Sequence, residues 1–442
     1  MRLPEDAARA LEKLESAGWE SYAVGGCVRD SLLGIEPHDW DLCTAMKKVF
    51  AGERVIETGL KHGTLTLLTP SGPLEITTFR TESGYSDCRH PDRVSFVRDI
   101  HADLARRDFT VNAMAYSPVR GLRDDFGGRE DLRNGVLRCV GDPGERFRED
   151  ALRILRALRF AARFGLTIEE KTAAALRENR ELLRNISPER IFSELKGILC
   201  ARGAGEMLLA FPEVFFVILP ELAPMRGFDT RRPQNHCWDV WGHTAHAVDA
   251  IAPESVLRLT MLFHDSGKPE TFRYDAQAGF GRFPGHPAVS ARIADAALRA
   301  LRCDNAARER VVTLVENHEM RTGHGKKDLR RLLAKIGEKN MRDLLLVRRA
   351  DAAAHAPEAA VRLTALADED ERILHEITAE RGCLHVKDLA VSGNDLLALG
   401  LKPGAAVGET LSRLLDLVLD EEVPNEKGAL LAAARKEMQT HE

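Results

Sequence analysis

The pattern of hydrophobic and polar positions divides the chain into an α/β region and a long helical region. Residues 5–17 have helical spacing, and residues 22–24 form an apolar run that predicts a strand leading into Gly25 and Gly26. Further short β-rich runs follow at residues 40–44, 64–68, 74–79 and 94–97. From residue 148 onward helical patterns dominate, so a mixed α/β domain followed by an α-helical body is predicted.

Two stretches interrupt the helical pattern. One is the basic, proline-containing stretch 231–233, and the other is the predicted loop 274–287. A domain boundary is placed near the first, because such stretches are typical of linkers. With the change of pattern near residue 141, this predicts four segments, namely 1–141, 142–230, 231–360 and 361–442.

Composition and charge exclude some classes of protein. At 442 residues the chain is long enough for two to four domains, and a net charge of −5 argues against a protein that simply coats nucleic acid. A local basic surface remains compatible with RNA binding. The eight cysteines contain no C-x-x-C pair, and no uncharged apolar stretch approaches about 18 residues. We expect reduced, buried thiols and a soluble cytoplasmic protein without a membrane segment.

Three carboxylates predict a metal site in the α/β region. Asp39 and Asp41 stand two apart on a predicted strand, where alternation places both on one face. Glu75 lies between apolar residues, where an uncompensated charge would be costly, and we expect it to face the same metals. Such a site would lower the pKa of an attacking 3′-hydroxyl and neutralise a leaving pyrophosphate. Mg²⁺ suits a site made only of oxygen ligands.

A glycine pair precedes these carboxylates. Gly25 and Gly26 lack side chains where a strand passes into a helix, which lets backbone N–H groups approach a triphosphate, and Arg29 follows as a phosphate partner. Taken separately, an ordinary turn and a solvated D-x-D remain an equal alternative. The combination with Glu75 favours a nucleotide site.

The ordered motifs of the first 200 residues resemble class II tRNA nucleotidyltransferases, that is, CCA-adding enzymes and bacterial poly(A) polymerases. They are VGGCVRDSLLG at 24–34, HDWDL at 38–42, RRDFTVNAMA at 106–115 and DFGG at 125–128. The resemblance implies a polymerase-beta-like mixed-sheet head, an all-α neck and body, and tRNA, ATP and CTP as partners. It also implies that Arg107 and Asp108 contact the nucleotide sugar. A carboxylate can accept a hydrogen bond from a 2′-hydroxyl, which agrees with that role.

The motif E-D-x-x-R supplies a base-selecting pair. Asp150 and Arg153 are three residues apart on a predicted helix and are therefore neighbours. Cytosine and adenine both present an amine donor beside a ring-nitrogen acceptor, so Asp150 would accept from the amine and Arg153 would donate to the ring nitrogen. The resemblance assigns the same role to this motif. The alternative is a plain salt bridge between the two side chains.

A basic stripe follows on the same predicted helix. Arg156, Arg159 and Arg163 share one face opposite an apolar face. The stripe either binds nucleotide or tRNA phosphates, or is solvated. The neck motif at 187–191 is assigned a mainly structural role, because Ser187 followed by Pro188 predicts a helix start.

Histidines and aspartates of the helical region form a second candidate site. An adjacent His-Asp pair followed by Ser-Gly-Lys-Pro resembles HD-domain metal phosphohydrolases over about residues 236–355. The expected ligands of a divalent transition metal are His243, His264, Asp265, His286, His318 and Asp351. These residue types predict metal binding, whereas hydrolysis stays open.

The leading interpretation is an enzyme that adds the complete CCA end to tRNA. The polar connection at 81–93 resembles a loop of members that add the terminal A, which favours complete over CC-only or A-only addition. A poly(A) polymerase is less favoured, because residues 403–442 carry eight acidic and only four basic residues. A protein-modifying nucleotidyltransferase with an HD domain, and a non-enzymatic RNA-binding protein, are the remaining alternatives.

Overall fold

The structure is a computed structural model of the chain and comprises two compact units, Met1–Pro220 and Glu221–Glu442. It describes residues 1–45, 50, 53–56, 63–70, 72–84, 93–229, 237–319, 325–380 and 382–440. The stretch 231–233 and much of the connection 81–93 lie outside these ranges. The four-segment division is finer than the two units and stays a prediction.

The first unit contains a seven-stranded mixed sheet. The strands of this unit are β1 (Ser21–Val24), β2 (Asp41–Thr44), β3 (Val55–Ile56), β4 (Thr64–Thr69), β5 (Gly72–Thr78), β6 (Arg80–Ser83), β7 (Arg93–Phe96), β8 (Ala115–Ser117), β9 (Gly121–Arg123), β10 (Val136–Leu137) and β11 (Thr167–Ile168). The order in the large sheet is β3-β4-β5-β2-β1-β8-β9. Within it β2 and β5 are parallel, and the other described neighbours are antiparallel.

The predicted strands of this unit are confirmed to within two residues at each end, and β3, β6, β8, β9, β10 and β11 were not predicted. All six are short, with two to four residues each, and so offer little alternation to detect. The sheet is covered by the apolar side of the first helix, where Ala7, Leu11 and Leu14 are buried together with Leu42 and Ile76.

Helices make up the rest of the first unit. They are α1 (Glu5–Ser16), α2 (Gly26–Leu32), α3 (Ile100–Ala105), α4 (Gly128–Arg133), α5 (Pro143–Glu149), α6 (Leu152–Phe164), α7 (Glu170–Glu178), α8 (Pro188–Leu199), α9 (Ala204–Ala210) and α10 (Pro212–Ile218), with 3₁₀ turns at Thr110–Asn112 and Arg180–Asn185. The longest, α6, buries an apolar face that includes Ile154, Leu155 and Leu158. It packs against α8.

The second unit is almost entirely helical. Its elements are α11 (Val240–Ala250), α12 (Ser255–Phe263), α13 (Lys268–Thr271), β12 (Arg273–Asp275), β13 (Phe280–Arg282), α14 (His286–Ala300), α15 (Asn305–Asn317), α16 (Lys326–Ala353), α17 (Pro357–Ala379), α18 (Gly393–Ala398), α19 (Ala405–Leu419) and α20 (Lys427–Thr440), with 3₁₀ turns at Pro220–Met225 and Val386–Asp388. The predicted loop 274–287 instead contains most of the hairpin β12–β13 and the start of α14.

Two further predictions are tested by the described residues. The cysteines among them form no disulfide, and Cys237 is exposed rather than buried. Within the described part of the chain, no helix combines the length and the apolar character needed to cross a membrane.

Candidate functional site

The two strands that carry the predicted catalytic carboxylates lie side by side. β2 begins at Asp41 and runs parallel to β5, and their register places Asp41 opposite Glu75. Both side chains are exposed, so Glu75 is not the buried charge that its apolar neighbours suggested. Asp39 is also exposed and precedes β2, so strand alternation does not place it on the same face as Asp41. The strand register therefore brings Asp41 and Glu75 together. Asp39 lies near them only because it is two residues from Asp41 along the chain.

The charge around Asp41 favours a cation. The pKa of Asp41 is raised, because the surrounding protein partly desolvates the carboxylate although the side chain still reaches solvent. The negative charges of Glu75 and Asp39 raise this pKa further, and the Arg107 cation opposes them. A divalent cation would relieve this repulsion between carboxylates.

Gly25 forms the turn between β1 and α2. Its φ of 78° lies in the left-handed region, and its N–H donates to the carbonyl of Met114 at 3.1 Å. A Cβ at Gly25 would lie 2.7 Å from Nη1 of Arg107, whereas a Cβ at Gly26 would lie 3.5 Å from Nη2 of Arg29, an ordinary contact. Gly25 is therefore required by its backbone, and a side chain there would also displace the guanidinium of Arg107.

Arg29 is buried, and protein groups surround its guanidinium. Nε donates to Oδ1 of Asp30 at 2.8 Å, and Nη1 donates to Oδ1 of Asn112. Its Cζ lies 4.5 Å from the ring centre of Phe164 and 5.0 Å from that of Phe160. These contacts anchor α2, and contact between Arg29 and a phosphate stays a prediction.

Asp108 is buried and strongly bound by its neighbours. Oδ1 accepts from the N–H of Phe109 at 2.8 Å and from Nδ2 of Asn112 at 3.0 Å, and Oδ2 accepts from Nε and Nη2 of Arg156 at 3.0 and 2.7 Å. Burial alone would raise the pKa of Asp108, but Arg156 and Asn112 outweigh burial and lower this pKa to about 2. Asp108 is thus ionised at neutral pH, and its four acceptor positions are all used by neighbouring protein groups.

Asp103 is a site residue that sequence reasoning missed. It is fully buried, and it accepts from Nη2 of Arg106 at 2.8 Å and from Nη2 of Arg107 at 3.4 Å. Burial raises its pKa, but the two arginines outweigh burial and lower it. Nε of Arg107 has no hydrogen-bond partner among the described residues. The spacing of three and four residues from Asp103 to the two arginines could have indicated these contacts.

The predicted base-selecting pair does not share a helix. Asp150 follows α5 with extended backbone at φ −141° and ψ 102°, whereas Arg153 lies in α6. The cause is local, because one Asp150 oxygen accepts from the N–H of Leu152 at 3.1 Å and so caps the start of α6. The other oxygen accepts from Nη2 of Arg190 at 3.0 Å. Arg153 instead donates to Glu149 at 2.6 Å, so a salt bridge between Asp150 and Arg153 is not formed.

The basic stripe of α6 is held by protein contacts. Arg156 binds Asp108, and Nε of Arg159 donates to Oε2 of Glu194 in α8 at 2.6 Å. Both guanidinium groups also lie over the ring of Phe160, at 5.2 and 4.6 Å. These two arginines therefore join α6 to its neighbours, and a direct role in binding nucleotide stays a prediction.

The six predicted metal ligands of the second unit converge. They form two groups in which the ligand atoms lie within 4.8 Å of one another, namely His243, His264, Asp265 and Asp351, and Asp265, His286 and His318. Asp265 belongs to both groups, because its Oδ2 lies 3.3 Å from Nε2 of His264 and its Oδ1 lies 3.4 Å from Nε2 of His286. A carboxylate whose oxygens face two ligand groups is suited to bridge two cations.

Each imidazole of this cluster is oriented through its Nδ1 atom. The backbone carbonyl partners are Ala354 at 3.2 Å for His243, Met261 at 2.7 Å for His264, Phe283 at 3.1 Å for His286 and Val315 at 2.7 Å for His318. An Nδ1–H that donates to a carbonyl leaves a lone pair on Nε2, as in metal-binding histidines. The facing Nε2 atoms of His243 and His264 are 3.3 Å apart. Two such lone pairs repel unless a proton or a metal ion lies between them.

The electrostatics of the cluster also favour a cation. Burial lowers the pKa of His243 and of His318. Burial would likewise lower the pKa of His264, but the carboxylates of Asp265 and Asp351 outweigh it and raise this pKa to about 10. A proton on His264 would compensate part of the carboxylate charge, and a divalent cation in its place would compensate more of it.

Lys268 and His355 extend this cluster and were not predicted as site residues. Nζ of Lys268 lies 2.6 Å from Oδ2 of Asp265, and the ring of His355 lies 4.9 Å from that of His243. Gly267 permits the close approach of α14, because a Cβ there would lie 2.6 Å from the carbonyl oxygen of His286. The run after the His-Asp pair contained both Gly267 and Lys268 and could have drawn attention to them.

Three family models match parts of the chain. A model described as the poly A polymerase head domain matches residues 21–138, and one described as a probable RNA- and SrmB-binding site of polymerase A matches residues 165–225. A third, a putative domain 2 of tRNA nucleotidyltransferase, matches residues 288–434. These ranges do not include four of the predicted metal ligands, namely His243, His264, Asp265 and His286. The resemblance to HD domains therefore stays a prediction.

Full-length relatives and solved structures agree with these matches. The CCA-adding enzyme of Lactobacillus helveticus is 33% identical over 97% of both chains, and that of Limosilactobacillus fermentum is 33% identical over 97% of this chain and 96% of its own. The crystal structure of the Bacillus stearothermophilus CCA-adding enzyme in complex with CTP has a TM-score of 0.71 and 27% identity, covering 100% of this chain and 99% of that one. The Thermotoga maritima CCA-adding enzyme complexed with tRNA shares the fold, with a TM-score of 0.61 and 22% identity over 99% and 97% of the two chains.

The match over the mixed sheet places the first unit among nucleotidyltransferases of the poly(A) polymerase class. The full-length relatives identify the family within this class, because they are similar to the chain along nearly its entire length. The chain belongs to the family of CCA-adding enzymes. The resemblance predicted from the four ordered motifs of the head is thereby confirmed.

Proposed function

We propose that this chain adds the 3′-terminal CCA to tRNA from CTP and ATP, without a nucleic-acid template and with release of pyrophosphate. The observation that carries the proposal is the strand register that sets Asp41 beside Glu75, both exposed, on two neighbouring strands inside the sheet. Arg107 acts electrostatically on Asp41 and lies against the Gly25 turn. The names of the full-length relatives, and the CTP bound by one solved relative, support tRNA and CTP as substrates.

Asp39, Asp41 and Glu75 are proposed as the catalytic carboxylates, with Asp39 and Asp41 as ligands of Mg²⁺. Their oxygen-only donor set and exposed position fit an ion of this kind, which usually binds through one or two carboxylates together with substrate phosphates. Bound Mg²⁺ would supply the charge that makes the tRNA 3′-hydroxyl more acidic and offsets the charge of the leaving pyrophosphate. The carboxylates would hold these ions in position, and Gly25 and Gly26 leave room for the triphosphate.

Arg107 and Asp108 are proposed to select the ribose. Asp108 is ionised, but Phe109, Asn112 and Arg156 already fill its four acceptor positions, so a 2′-hydroxyl would have to replace one of these donors. Arg107 retains an Nε without a partner among the described residues and can donate to the nucleotide. A deoxyribonucleotide lacks the 2′-hydroxyl and would forgo the hydrogen bond to Asp108, which disfavours its incorporation.

Asp150 and Arg153 are proposed to select C and A. Each oxygen of a carboxylate can accept two hydrogen bonds, so Asp150 can still accept from an exocyclic amine while it contacts Leu152 and Arg190. Arg153 supplies the donor for the ring nitrogen. Uracil and guanine present the reverse order of donor and acceptor and would leave both residues mismatched.

The test of the overall reaction uses three tRNA transcripts that end before CCA, after the first C and after CC. Each is incubated with each ribonucleotide separately and then with CTP and ATP together. Complete CCA addition predicts one product length for every transcript, ending at the terminal A. A long adenosine tail would instead indicate a poly(A) polymerase, and products that stop after CC, or that require CC already present, would indicate a partial enzyme.

A second function is proposed for the second unit, namely a metal-dependent phosphohydrolase of the HD type. The convergence of the two ligand groups on Asp265 supports it. The mixed imidazole and carboxylate donors fit a divalent transition metal, which when bound would supply Lewis-acid activation of water and phosphate. Lys268 neutralises one oxygen of Asp265. The test is hydrolysis of bis(p-nitrophenyl) phosphate with Mn²⁺, Co²⁺ or Ni²⁺, which the variant His264→Ala should lack.

A further inference from the structure

The N-terminal end of α16 carries a concentration of positive charge. Four of its first six residues are cations, and Asp328 is the one acid among these six. The basic cluster consists of Lys326, Lys327, Arg330 and Arg331. The N-terminal end is the positive pole of a helix dipole, which favours acids and repels cations. The basic cluster therefore opposes the local preference of a helix and needs partners that outweigh it.

Three acids from further along the chain supply these partners. The five ion pairs are Lys326–Glu380, Arg330–Glu380, Arg330–Glu421, Lys327–Asp420 and Arg331–Asp420. The nitrogen–oxygen distance is 2.6 Å between Arg330 and Glu421 and 2.5 Å between Arg331 and Asp420. Every cation of the basic cluster is thus covered by a carboxylate.

The three acids also occupy positions that helices disfavour. Glu380 and Asp420 follow the last residues of α17 and α19, and Glu421 comes next after Asp420. A helix C-terminus is the negative pole of the dipole and repels acids. Glu421 also has a φ of 60°, in the left-handed region that residues with a side chain rarely adopt. Both sides of the contact therefore oppose local preference, and their mutual attraction compensates.

The covered cations remain partly open to solvent. The side chains of Lys327 and Arg331 are 46% and 47% exposed, whereas that of Arg330 is 10% exposed. Ion pairs at such exposure are screened by salt and have a small net effect on stability. A polyanion gains more from the same cations, because it releases its own condensed counterions when it binds. The acids can therefore be displaced by such a ligand.

The covering acids Asp420 and Glu421 lie in a stretch of chain with its own apolar core. Residues 383–434 contain a buried cluster that includes Leu396, Leu414 and Leu430. The non-helical backbone of Gly337, at φ 78° and ψ 161°, separates the basic cluster from the part of α16 that carries Asp351. Release of the ion pairs would therefore leave both the apolar core of residues 383–434 and the predicted metal ligand in place.

We propose that the basic cluster binds RNA phosphates and that Glu380, Asp420 and Glu421 cover it in the absence of RNA. The carboxylates occupy the cations as phosphates would, and RNA displaces them when it binds. The contact is thus autoinhibitory, because each displaced ion pair lowers the affinity for RNA. The choice of RNA as the polyanion rests on the proposed function, whereas the basic cluster and its cover do not.

The experiment measures the Kd of the full chain for a tRNA transcript without CCA, by fluorescence anisotropy over a series of KCl concentrations. Asp420→Asn combined with Glu421→Gln uncovers Lys327 and Arg331, and should tighten binding about five- to tenfold. Lys327→Gln combined with Arg331→Gln should weaken binding and reduce the slope of log Kd against log salt concentration by about two, since two phosphate contacts are lost.

The matched control removes the same charge from another place in the second unit. Glu369 and Glu376 both pair with Arg372 on α17, away from any cluster of cations on that helix. Glu369→Gln combined with Glu376→Gln therefore changes the net charge by the same amount without uncovering the basic cluster. Its Kd should equal that of the unmodified chain, and equal tightening in this control would overturn the inference.

Two further variants separate uncovering from loss of stability. Glu421→Gly removes the carboxylate and suits the left-handed backbone, so it should fold and still tighten binding severalfold. In the Lys327→Gln, Arg331→Gln background, the changes at Asp420 and Glu421 should tighten binding much less, because two of the uncovered cations are gone. Thermal unfolding checks every variant. Unchanged Kd in folded Glu421→Gly, or full tightening without the two cations, would overturn the inference.

Nucleotide incorporation on the same transcript distinguishes this inference from the proposed function. Incorporation by the unmodified chain tests the proposed function alone. Where it occurs, the variants that uncover the cluster should lower KM for tRNA and leave kcat nearly unchanged. Normal incorporation with no change of Kd or KM in these variants would overturn only the inference. Absence of incorporation together with tighter RNA binding by these variants would overturn only the proposed function.

Discussion

The exposed carboxylates of the first unit and the histidine cluster of the second differ in how far the fold alone assembles them. Asp41 and Glu75 are exposed on neighbouring strands, and Asp39 lies on the chain before them. In the second unit the ligand atoms of each of two groups already lie within 4.8 Å of one another, and all of these residues except the partly exposed Asp351 are buried. Among the described residues, both groups of three or more such ligand atoms belong to the second unit.

This difference corresponds to two ways of using metal ions. An exposed pair of carboxylates provides too few ligands to hold an ion tightly, and Mg²⁺ bound there would complete its coordination with the triphosphate and water. A buried set of oriented imidazoles and shared carboxylate oxygens provides most of the ligands itself. We therefore expect the first site to bind its ions together with substrate and the second to retain them without substrate.

The largest expected effect tests the first site. Asp41→Ala should reduce nucleotide incorporation on the order of a thousandfold or more, because it removes a ligand of the ions that stabilise the transferring phosphate. The melting temperature should hardly change, since the side chain is exposed. Incorporation is measured by primer extension on tRNA without CCA. Near-normal extension by a folded variant would remove Asp41 from the catalytic site.

The next effect tests whether Asp265 joins two ion sites. Asp265→Ala should lose all bound transition metal, whereas His318→Ala should lose about half of it, because only one group contains His318. Metal per chain is measured by mass spectrometry of the dialysed protein, and nucleotide incorporation should persist in both variants. The control His246→Ala removes a histidine from outside both groups. Equal losses in Asp265→Ala and His318→Ala would contradict the shared carboxylate.

A smaller effect concerns choice of nucleotide rather than chemistry. Arg153→Ala should lower kcat/KM for C and A and raise relative misincorporation of U and G, by roughly ten- to hundredfold in discrimination. Its bond to Glu149 at 2.6 Å also contributes to stability, so some loss of melting temperature is expected. Unchanged ratios for the four ribonucleotides, with only a loss of stability, would leave Arg153 a structural residue.

The smallest expected effect is a difference in activity between alanine variants of two glycines of the first unit. Gly25 and Gly18 have φ of 78° and 82°, so alanine at either should cost about 1–2 kcal/mol of folding free energy. Only at Gly25 would the new Cβ meet Arg107, whereas at Gly18 nothing lies within 4 Å. When the two variants are compared at the same fraction of folded protein, Gly25→Ala should therefore have severalfold lower nucleotide incorporation than Gly18→Ala. Gly25→Ala should still bind its transition metal. Equal activities would show that Arg107 tolerates displacement.

The sequence predicted the elements with strong periodicity and the residues that share a motif. The strands carrying Asp41 and Glu75, the long helix α6 and the convergence of six ligands are all present. What it missed includes one contact between distant residues and one local contact. The bond from Arg190 to Asp150 spans 40 positions and follows from no local pattern. The capping bond from the N–H of Leu152 to Asp150 is local, and it overrides the helical spacing that placed Asp150 on α6.

The direction of the Glu75 side chain depends on the turn between β4 and β5. β4 and β5 form a hairpin in which Thr69 pairs with Gly72, and Oγ1 of Thr69 donates to the carbonyl of Gly72 at 2.6 Å. This hairpin contains only local contacts and can form early, whereas the parallel pairing of β5 with β2 closes a longer stretch of chain. A slip of one residue at the turn would reverse every side chain of β5 and send Glu75 to the opposite face. The placement of Glu75 beside Asp41 is thus decided during folding, by the register that this turn sets.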